Sequence, residues 1–245
     1  MPLSRADELI AGLRALSDEA GALRFAPPVH TVYNPLIYAR APAEDYIRRY
    51  ARECRALLVG MNPGPFGMAQ TGVPFGEVAY ARDWLGITGK VERPQPEHPK
   101  RPIQGFSCPR SEVSGRRLWG FFKERFGTPE NFFKTFYVTN YCPLVFMGES
   151  GRNLTPNTLP AHERAALYAA CDRYLRKTAA VLNPEFIIGV GAFAAKRAEE
   201  ALQAEAPRRF AVIAHPSPAN PQANRGWNTL AQQTLEELGL LDVLL

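Results

Sequence analysis

Three uncharged polar side chains, those of Asn62, Asn140 and His215, follow or close short apolar runs of the sequence. Carboxamide and imidazole groups donate and accept hydrogen bonds without carrying a full charge. Such groups suit the recognition of a heterocycle and the stabilisation of a departing anion. No carboxylate stands in the same short motifs, so general-base catalysis by Asp or Glu is not expected from them.

The apolar runs predict the strands that position these side chains. The predicted strands are Ala56–Met61, Phe136–Tyr141, Phe186–Gly191 and Phe210–His215, and the predicted helices are Gly115–Phe126, Pro160–Leu182, Ala192–Ala206 and Asn224–Leu238. Their alternation predicts an α/β fold, a three-layer sandwich around a mostly parallel four-stranded sheet. Because the carboxyl ends of parallel strands share one edge, the polar side chains are expected to meet there.

A single domain is expected over residues 1–245, because this length fits one sizeable α/β core. Apolar residues recur at helical spacing after Ser4, which predicts a helix over about residues 4–20 that packs on the core. The segment Glu92–Pro102 contains four prolines. They exclude both a helix and a central strand, and they predict a long loop.

Composition and charge exclude several classes of protein. Apolar residues make up 46% and charged residues 22% of the chain, which excludes disorder as a description of the whole. The sequence lacks an apolar window long enough for a membrane span or a signal-peptide core. We therefore expect a soluble, intracellular protein, cytoplasmic in a bacterium or nuclear in a eukaryote. Nothing indicates oligomerisation, so a monomer is expected.

Charge and cysteine spacing bear on partners and cofactors. The net charge of +5 is compatible with a polyanionic partner such as DNA, because neutralised phosphates release counterions. The four cysteines lie far apart, without the spacing of a zinc or iron–sulfur site, and are predicted to be buried thiols. No metal and no cofactor are expected.

Three other motifs suggest different chemistry and are disfavoured by their context. The Gly189-x-Gly191 spacing is typical of a dinucleotide site, but the next strand ends in His215 instead of the acidic residue that binds a ribose. Tight packing of a helix on the strand is the simpler explanation of these glycines. Ser217 lies too close to His215, in a proline-containing loop, to form a nucleophile–base pair. Cys142 has no nearby cation or helix start to lower its pKa.

The longest motif runs from Gly60 to Glu77 and reads GMNPGPFGMAQTGVPFGE, and His215-Pro216-Ser217-Pro218 follows near the end. Together they resemble the single-strand-selective monofunctional uracil-DNA glycosylase family of the uracil-DNA glycosylase superfamily. Further matching segments are Arg82–Gly86, Glu97–Pro102, Ser111–Gly115, Ser150–Pro156 and Asn220–Trp227. The resemblance covers roughly residues 40–240. It implies a monofunctional DNA repair enzyme that hydrolyses the N-glycosidic bond of uracil and of 5-substituted uracils such as 5-hydroxymethyluracil, in single- and double-stranded DNA, leaving an abasic site.

The resemblance also implies a role for each polar side chain. Asn62 would position the attacking water, and His215 would donate to uracil O2 as negative charge builds there. Asn140 would give a hydrogen to O4 and accept one from N3–H, two contacts that cytosine cannot match. Phe75 would stack on the flipped base. Gly64 would leave room beside C5 for a small substituent, and Met61 would line the same pocket.

DNA outside the pocket would be bound by two further segments. Their residues are Ser150, Gly151, Arg152, Asn153, Pro216, Ser217, Pro218, Ala219, Asn220, Gln222 and Arg225. Ala219 stands where vertebrate members carry an Arg that can wedge into the base stack, so weaker penetration of duplex DNA is expected.

Two other functions stay open from the sequence. One is a non-catalytic protein that binds damaged or single-stranded DNA. The other is a glycosylase of the same superfamily with a preference for hypoxanthine or xanthine. Cleavage of the DNA strand is not expected, because no lysine at the strand ends is placed to form a Schiff base.

Overall fold

The strands form where the sequence has its short apolar runs. The computed structural model describes residues 3–205 and 207–241. Its strands are β1 (Thr31–Tyr33), β2 (Ala56–Gly60), β3 (Phe136–Asn140), β4 (Val145–Met147), β5 (Asn153–Leu154), β6 (Phe186–Val190) and β7 (Arg209–Ile213). Its helices are α1 (Arg5–Ala22), α2 (Pro35–Tyr38), α3 (Arg40–Tyr50), α4 (Met68–Thr71), α5 (Val113–Phe126), α6 (Pro129–Phe133), α7 (Ala161–Leu182), α8 (Ala192–Leu202) and α9 (Pro221–Glu237).

A four-stranded sheet of order β3–β2–β6–β7 carries the polar side chains at one edge. All its neighbouring strands are parallel. The register pairs Gly60 with Asn140 and Val190 with Ile213, so the carboxyl ends of the strands lie side by side. Every residue of β2, β3 and β6 is buried, as expected for strands covered on both faces. The predicted α/β sandwich around a parallel sheet is confirmed.

The predicted helices are present with small changes at their ends. The first, α1, begins after Ser4, whose Oγ accepts a hydrogen bond from the Asp7 amide at 3.1 Å. The last, α9, begins three residues earlier than predicted, because the Asn220 side chain caps it by accepting from the Gln222 amide at 3.1 Å. The predicted end of α8 at Ala206 lies outside the described residues. In the part of the chain that is described, no helix is both long and apolar enough to span a membrane.

A second, smaller sheet was not predicted from the sequence. Its strand order is β1–β4–β5, and both of its pairings are antiparallel. In the hairpin of β4 and β5, Met147 is paired with Asn153, and the turn between them is closed by a hydrogen bond from Gly148 N to Arg152 O at 3.0 Å. The predicted DNA-binding residues 150–153 therefore lie in the turn of this hairpin and at the first residue of β5. We call them the 150–153 turn.

The proline-rich segment is a loop, as predicted, and side chains hold it on the body of the protein. The Tyr33 hydroxyl donates to Arg101 O at 2.8 Å and accepts from the His98 amide at 2.7 Å. The Gln70 side chain donates to Pro102 O at 3.2 Å. These bonds fix the backbone that carries residues 98–102.

The structure also bears on the disfavoured motifs. A Cβ on Gly189 would overlap the backbone of Ala195 in α8, so this glycine allows the helix to pack tightly on the sheet. All four cysteines are free and buried, as predicted. Burial raises the pKa of the Cys54 thiol to about 12, which keeps it protonated and unreactive.

Candidate active site

A pocket at the carboxyl edge of the sheet brings the predicted catalytic and base-reading residues together. Its volume is about 580 Å³, a size typical of small-molecule sites. The predicted site residues that line it are Met61, Asn62, Gly64, Phe75, Asn140, Asn153, His215, Ser217, Pro218 and Ala219. Among the described residues, no group of three or more His, Cys, Asp and Glu side chains is placed to hold a metal ion.

Asn62 lies two residues after the end of β2, in a fixed orientation. Its Nδ2 donates to Leu144 O at 3.2 Å and approaches Pro63 O at 3.5 Å. A backbone carbonyl can only accept, so the amide nitrogen must face Leu144. The carbonyl oxygen Oδ1 accepts no hydrogen bond from the described residues and is free to accept one from a water molecule.

Asn140 is the last residue of β3, and its side chain has a buried acceptor to which no described residue donates. Its Nδ2 lies 3.1 Å from the Met68 sulfur. Its Oδ1 is buried and has no hydrogen-bond partner within residues 3–205 and 207–241. A buried acceptor left without a partner costs about 1–3 kcal/mol. A ligand that supplies an N–H group at this point would recover that cost.

His215 follows β7 and is held in one neutral tautomer. Its Nδ1 accepts from the Ser217 amide at 3.1 Å, so in the neutral ring the proton is on Nε2. Burial lowers the pKa of this imidazole, which favours the uncharged ring. His215 therefore offers an uncharged N–H donor. The loop that carries it is fixed by Asn220, whose Nδ2 donates to His215 O at 3.0 Å.

Phe75 forms an aromatic wall beside His215, with the ring centroids 6.4 Å apart. Its backbone has a φ of 52°, a left-handed conformation that is uncommon for an aromatic residue and frequent at functional sites. The ring is close to the sheet because Gly60 has no side chain. A Cβ there would come within 2.6 Å of the ring and would overlap Asn140 Oδ1.

Glu112, the residue before α5, is a carboxylate of the pocket that sequence reasoning missed. A Cβ on Gly64 would overlap Glu112 Oε1. In this structure the Glu112 carboxylate therefore occupies the space next to Gly64. No described residue forms a hydrogen bond or an ion pair with the Glu112 carboxylate. Burial, followed by the negative charge of Glu77, raises its pKa to about 7.

The loop after His215 is held by two residues that the sequence did not single out. Arg117 in α5 donates to Pro216 O at 2.9 Å and to Asn224 Oδ1 at 3.0 Å. Asn224 in turn donates to Pro218 O at 2.8 Å. This loop, which includes the exposed Ala219, is thus fixed at the edge of the pocket.

The remaining predicted DNA-binding residues are divided between surface and structural positions. Ser150, Arg152, Gln222 and Arg225 are exposed and lie outside the pocket lining. Gly151 is buried, and both polar groups of the Asn220 side chain are bonded within the chain, to His215 O and to the Gln222 amide. Asn220 therefore shapes the loop and caps α9.

Comparisons with known proteins agree with this arrangement. The profile of the Uracil DNA glycosylase superfamily matches residues 47–239. The chain is 51% identical over 231 residues to the single-strand selective monofunctional uracil-DNA glycosylase of Rattus norvegicus, covering 94% of this chain and 83% of the rat protein. It is 48% identical over 245 residues to the Bos taurus protein with the same description, covering 99% and 90% of the two chains.

A solved structure shares the fold at low sequence identity. The crystal structure of wild-type SMUG2 from Pedobacter heparinus superposes with a TM-score of 0.66 at 18% identity, over 98% of this chain and 99% of that chain. The profile match covers most of the chain, and the identity to the mammalian proteins is close to one half. The chain therefore belongs to the single-strand-selective monofunctional uracil-DNA glycosylase family of the uracil DNA glycosylase superfamily.

Proposed function

We propose that this protein hydrolyses the N-glycosidic bond of uracil in DNA and leaves an abasic site. The observation that carries the proposal is the buried, unpartnered Oδ1 of Asn140, in one pocket with the free Oδ1 of Asn62 and the neutral imidazole of His215. This set offers the two carbonyl oxygens as acceptors, and the imidazole N–H and one amide hydrogen of Asn140 as donors. It matches the needs of a uracil base that leaves as an anion while water attacks the sugar.

Asn140 selects the base in this proposal. Its Oδ1 accepts from uracil N3–H, and the second hydrogen of its Nδ2 is available for O4 while the first is directed to the Met68 sulfur. Cytosine has a bare acceptor at N3 and an amino group at C4, so both contacts would be mismatched. Buried polar groups left unpaired in this way discriminate far more strongly than shape.

His215 stabilises the leaving group. As the bond to the sugar breaks, negative charge accumulates on uracil O2, and the Nε2–H of a neutral imidazole donates to it. One preorganised donor of this kind contributes about 3–4 kcal/mol to transition-state stabilisation. The tautomer that the Ser217 amide imposes puts the proton on the required nitrogen before the substrate arrives.

Asn62 positions the water. An amide cannot take up a full proton at neutral pH, so its carbonyl oxygen only orients water toward C1′. This weak activation suffices where the glycosidic bond is largely broken before water attacks and the sugar resembles an oxocarbenium ion. Stabilisation of the departing base then provides most of the rate acceleration.

Glu112 bears on which uracils are accepted. By the family resemblance Gly64 faces C5 of the base, and the Glu112 carboxylate fills the space next to it. We infer that 5-hydroxymethyluracil is a substrate alongside uracil when the Glu112 side chain turns away. The hydroxyl of such a substituent can donate to the displaced carboxylate, whereas a methyl group cannot.

Release of free base from lesion-containing oligonucleotides tests the proposal. Single-stranded and duplex DNA with one uracil, one 5-hydroxymethyluracil, one hypoxanthine or one xanthine are compared, and the released base is measured directly. Asn62→Ala is expected to retain DNA binding and to lose base release by at least about a hundredfold. Asn228→Ala, which removes an exposed carboxamide on α9, serves as the matched control. Equal base release by both variants would refute the role of Asn62, and DNA binding without base release by the wild-type protein would support a non-catalytic DNA-binding protein instead.

A further inference from the structure

Phe66 is stacked with an arginine at the opening of the pocket. The guanidinium carbon of Arg110 lies 3.9 Å from the ring centroid, and that of Arg101 lies 5.5 Å from it. Phe66 and Arg110 both line the pocket that contains Asn62 and His215. A guanidinium group held against an aromatic face keeps its N–H donors available, because these lie in the plane of the group.

Neither Arg101 nor Arg110 is paired with an acidic residue in the described part of the chain. Among the described residues, no carboxylate lies within ion-pair distance of Arg101 or Arg110, in contrast to Arg14, which pairs with Glu44 at 2.7 Å. Within residues 3–205 and 207–241, the Nε of Arg101 is buried without an acceptor, and the one hydrogen bond of this side chain is from Nη1 to Lys100 O at 3.2 Å. The positive charge near Phe66 is therefore not neutralised within the described chain.

The same positive surface continues to the predicted DNA-binding turn at residues 150–153. A Cβ on Gly151 would lie 3.2 Å from Lys100 Cβ and 3.6 Å from Arg101 Cγ, so the turn and the proline-rich loop are in contact. Lys100 and Arg152 are exposed, and neither forms an ion pair with a described carboxylate. The Tyr33 hydroxyl fixes the backbone at Arg101.

We propose that Arg101 and Arg110, which lie over the Phe66 ring, and Lys100, the residue before Arg101, bind the phosphodiester backbone of the DNA strand that leads into the pocket. We call these four residues the basic rim. Phosphate oxygens are the complementary acceptors for guanidinium and ammonium donors that lack partners in the protein. The rim lies between the 150–153 turn and the residues that act on the base, so a strand bound there holds the flipped nucleotide from one side. The proposal rests on the proposed function, because it identifies the surface that holds the same DNA substrate.

Salt-dependent binding of undamaged single-stranded DNA tests the basic rim. The fluorescence anisotropy of a labelled oligonucleotide of about 20 nucleotides is measured from about 50 to about 200 mM NaCl. Each lost phosphate contact is expected to lower the slope of log Kd against log salt concentration by about 0.7 and to weaken binding about fivefold at 0.1 M salt. Arg110→Gln therefore loses about 0.7 of the slope, and the double variant Arg101→Gln, Arg110→Gln loses about 1.4.

Two controls separate charge from structure. Arg110→Lys keeps the charge and is expected to keep the wild-type slope. Arg93→Gln removes an exposed cation of the same proline-rich loop that faces a different pocket, and it leaves the slope unchanged. A wild-type slope for the double variant, or weaker binding without a change of slope, overturns the proposal.

Uracil release by the wild-type protein is measured in parallel, so that the two proposals can fail separately. Uracil release with unchanged slopes overturns the basic rim and leaves the glycosylase assignment intact. Reduced slopes without uracil release support the rim and overturn the proposed function.

Discussion

Replacing Glu112 by Gln is expected to stabilise the protein above neutral pH. The carboxylate lies against Gly64, the negative charge of Glu77 acts on it, and no described residue donates to it. Ionisation at this place is opposed by loss of water and by repulsion from a second acid. Gln has almost the same size and shape without the charge, so the substitution removes that cost without opening a cavity.

The pH dependence follows from the direction of the pKa change. The pKa of Glu112 is raised from its ordinary value of 4.5 to about 7. Between these two pH values, Glu112 therefore keeps its proton in the folded protein and has lost it in the unfolded chain. The contribution of Glu112 to stability is fully present below pH 4.5 and is lost as the pH rises through about 7. The full difference is about 3.4 kcal/mol at about 1.36 kcal/mol per pH unit. Solvent contact of this partly exposed residue reduces it to about 1–2 kcal/mol.

Urea unfolding of the wild type and of Glu112→Gln at about pH 5 and about pH 8.5 measures this effect. The difference in unfolding free energy between the variant and the wild type is expected to shift by about 1–2 kcal/mol in favour of the variant when the pH is raised from the lower to the higher value. Glu199→Gln, which removes an exposed carboxylate on α8, is the control for the loss of a carboxylate outside the pocket. The same difference at both pH values for Glu112→Gln would refute the reasoning, since it would mean that the carboxylate is ionised throughout.

Three further substitutions test the pocket and its loop. His215→Ala is expected to lower kcat for uracil release by about 10²–10³-fold, and an effect on KM alone would contradict its role at the leaving group. Ala219→Arg is expected to raise release of paired uracil selectively, whereas an equal rise on single strands would contradict the argument that a side chain here fills the gap in the stack. Arg117→Ala removes two hydrogen bonds that fix the loop after His215 and is expected to lower kcat about tenfold with the fold retained. The exposed neighbour Arg116→Ala is its control, and equal losses in both variants would show that loop fixation is not the cause.

The central sheet could be predicted because its strands are short, continuous apolar runs separated by helical periodicity. The small sheet could not, because β5 comprises only Asn153 and Leu154, too few residues for an alternating pattern. Helix α3 was missed as well. Its buried residues Ala43, Tyr46, Ile47 and Tyr50 do recur at steps of three and four, but Pro42 at its third position looks like a helix break in the sequence. The small sheet also depends on the pairing of β1 with β4, which are far apart in the sequence.

The candidate site could be predicted in part, and the reason is topological. Parallel strands bring their carboxyl ends to one edge, so a residue's place in its own strand was enough to group Asn62, Asn140 and His215. Glu112 and Arg117 come from the start of α5, which no rule about strand ends includes. Only the tertiary approach of that helix places a carboxylate against Gly64 and an arginine against the loop after His215.

The three polar side chains share one structural principle that explains how uncharged groups can be preorganised. Each uses one end to bond to the protein and presents the other to the pocket. Asn62 donates to Leu144 O, Asn140 donates to the Met68 sulfur, and His215 accepts from the Ser217 amide. The hydrogen bond to the protein decides which atom of each side chain faces the substrate. Two carbonyl oxygens and one imidazole N–H are therefore directed into the pocket, and no charged group is needed to orient them. Because that orientation is fixed before binding, little reorganisation is needed when the base becomes an anion, which is the condition under which a hydrogen bond lowers the barrier most.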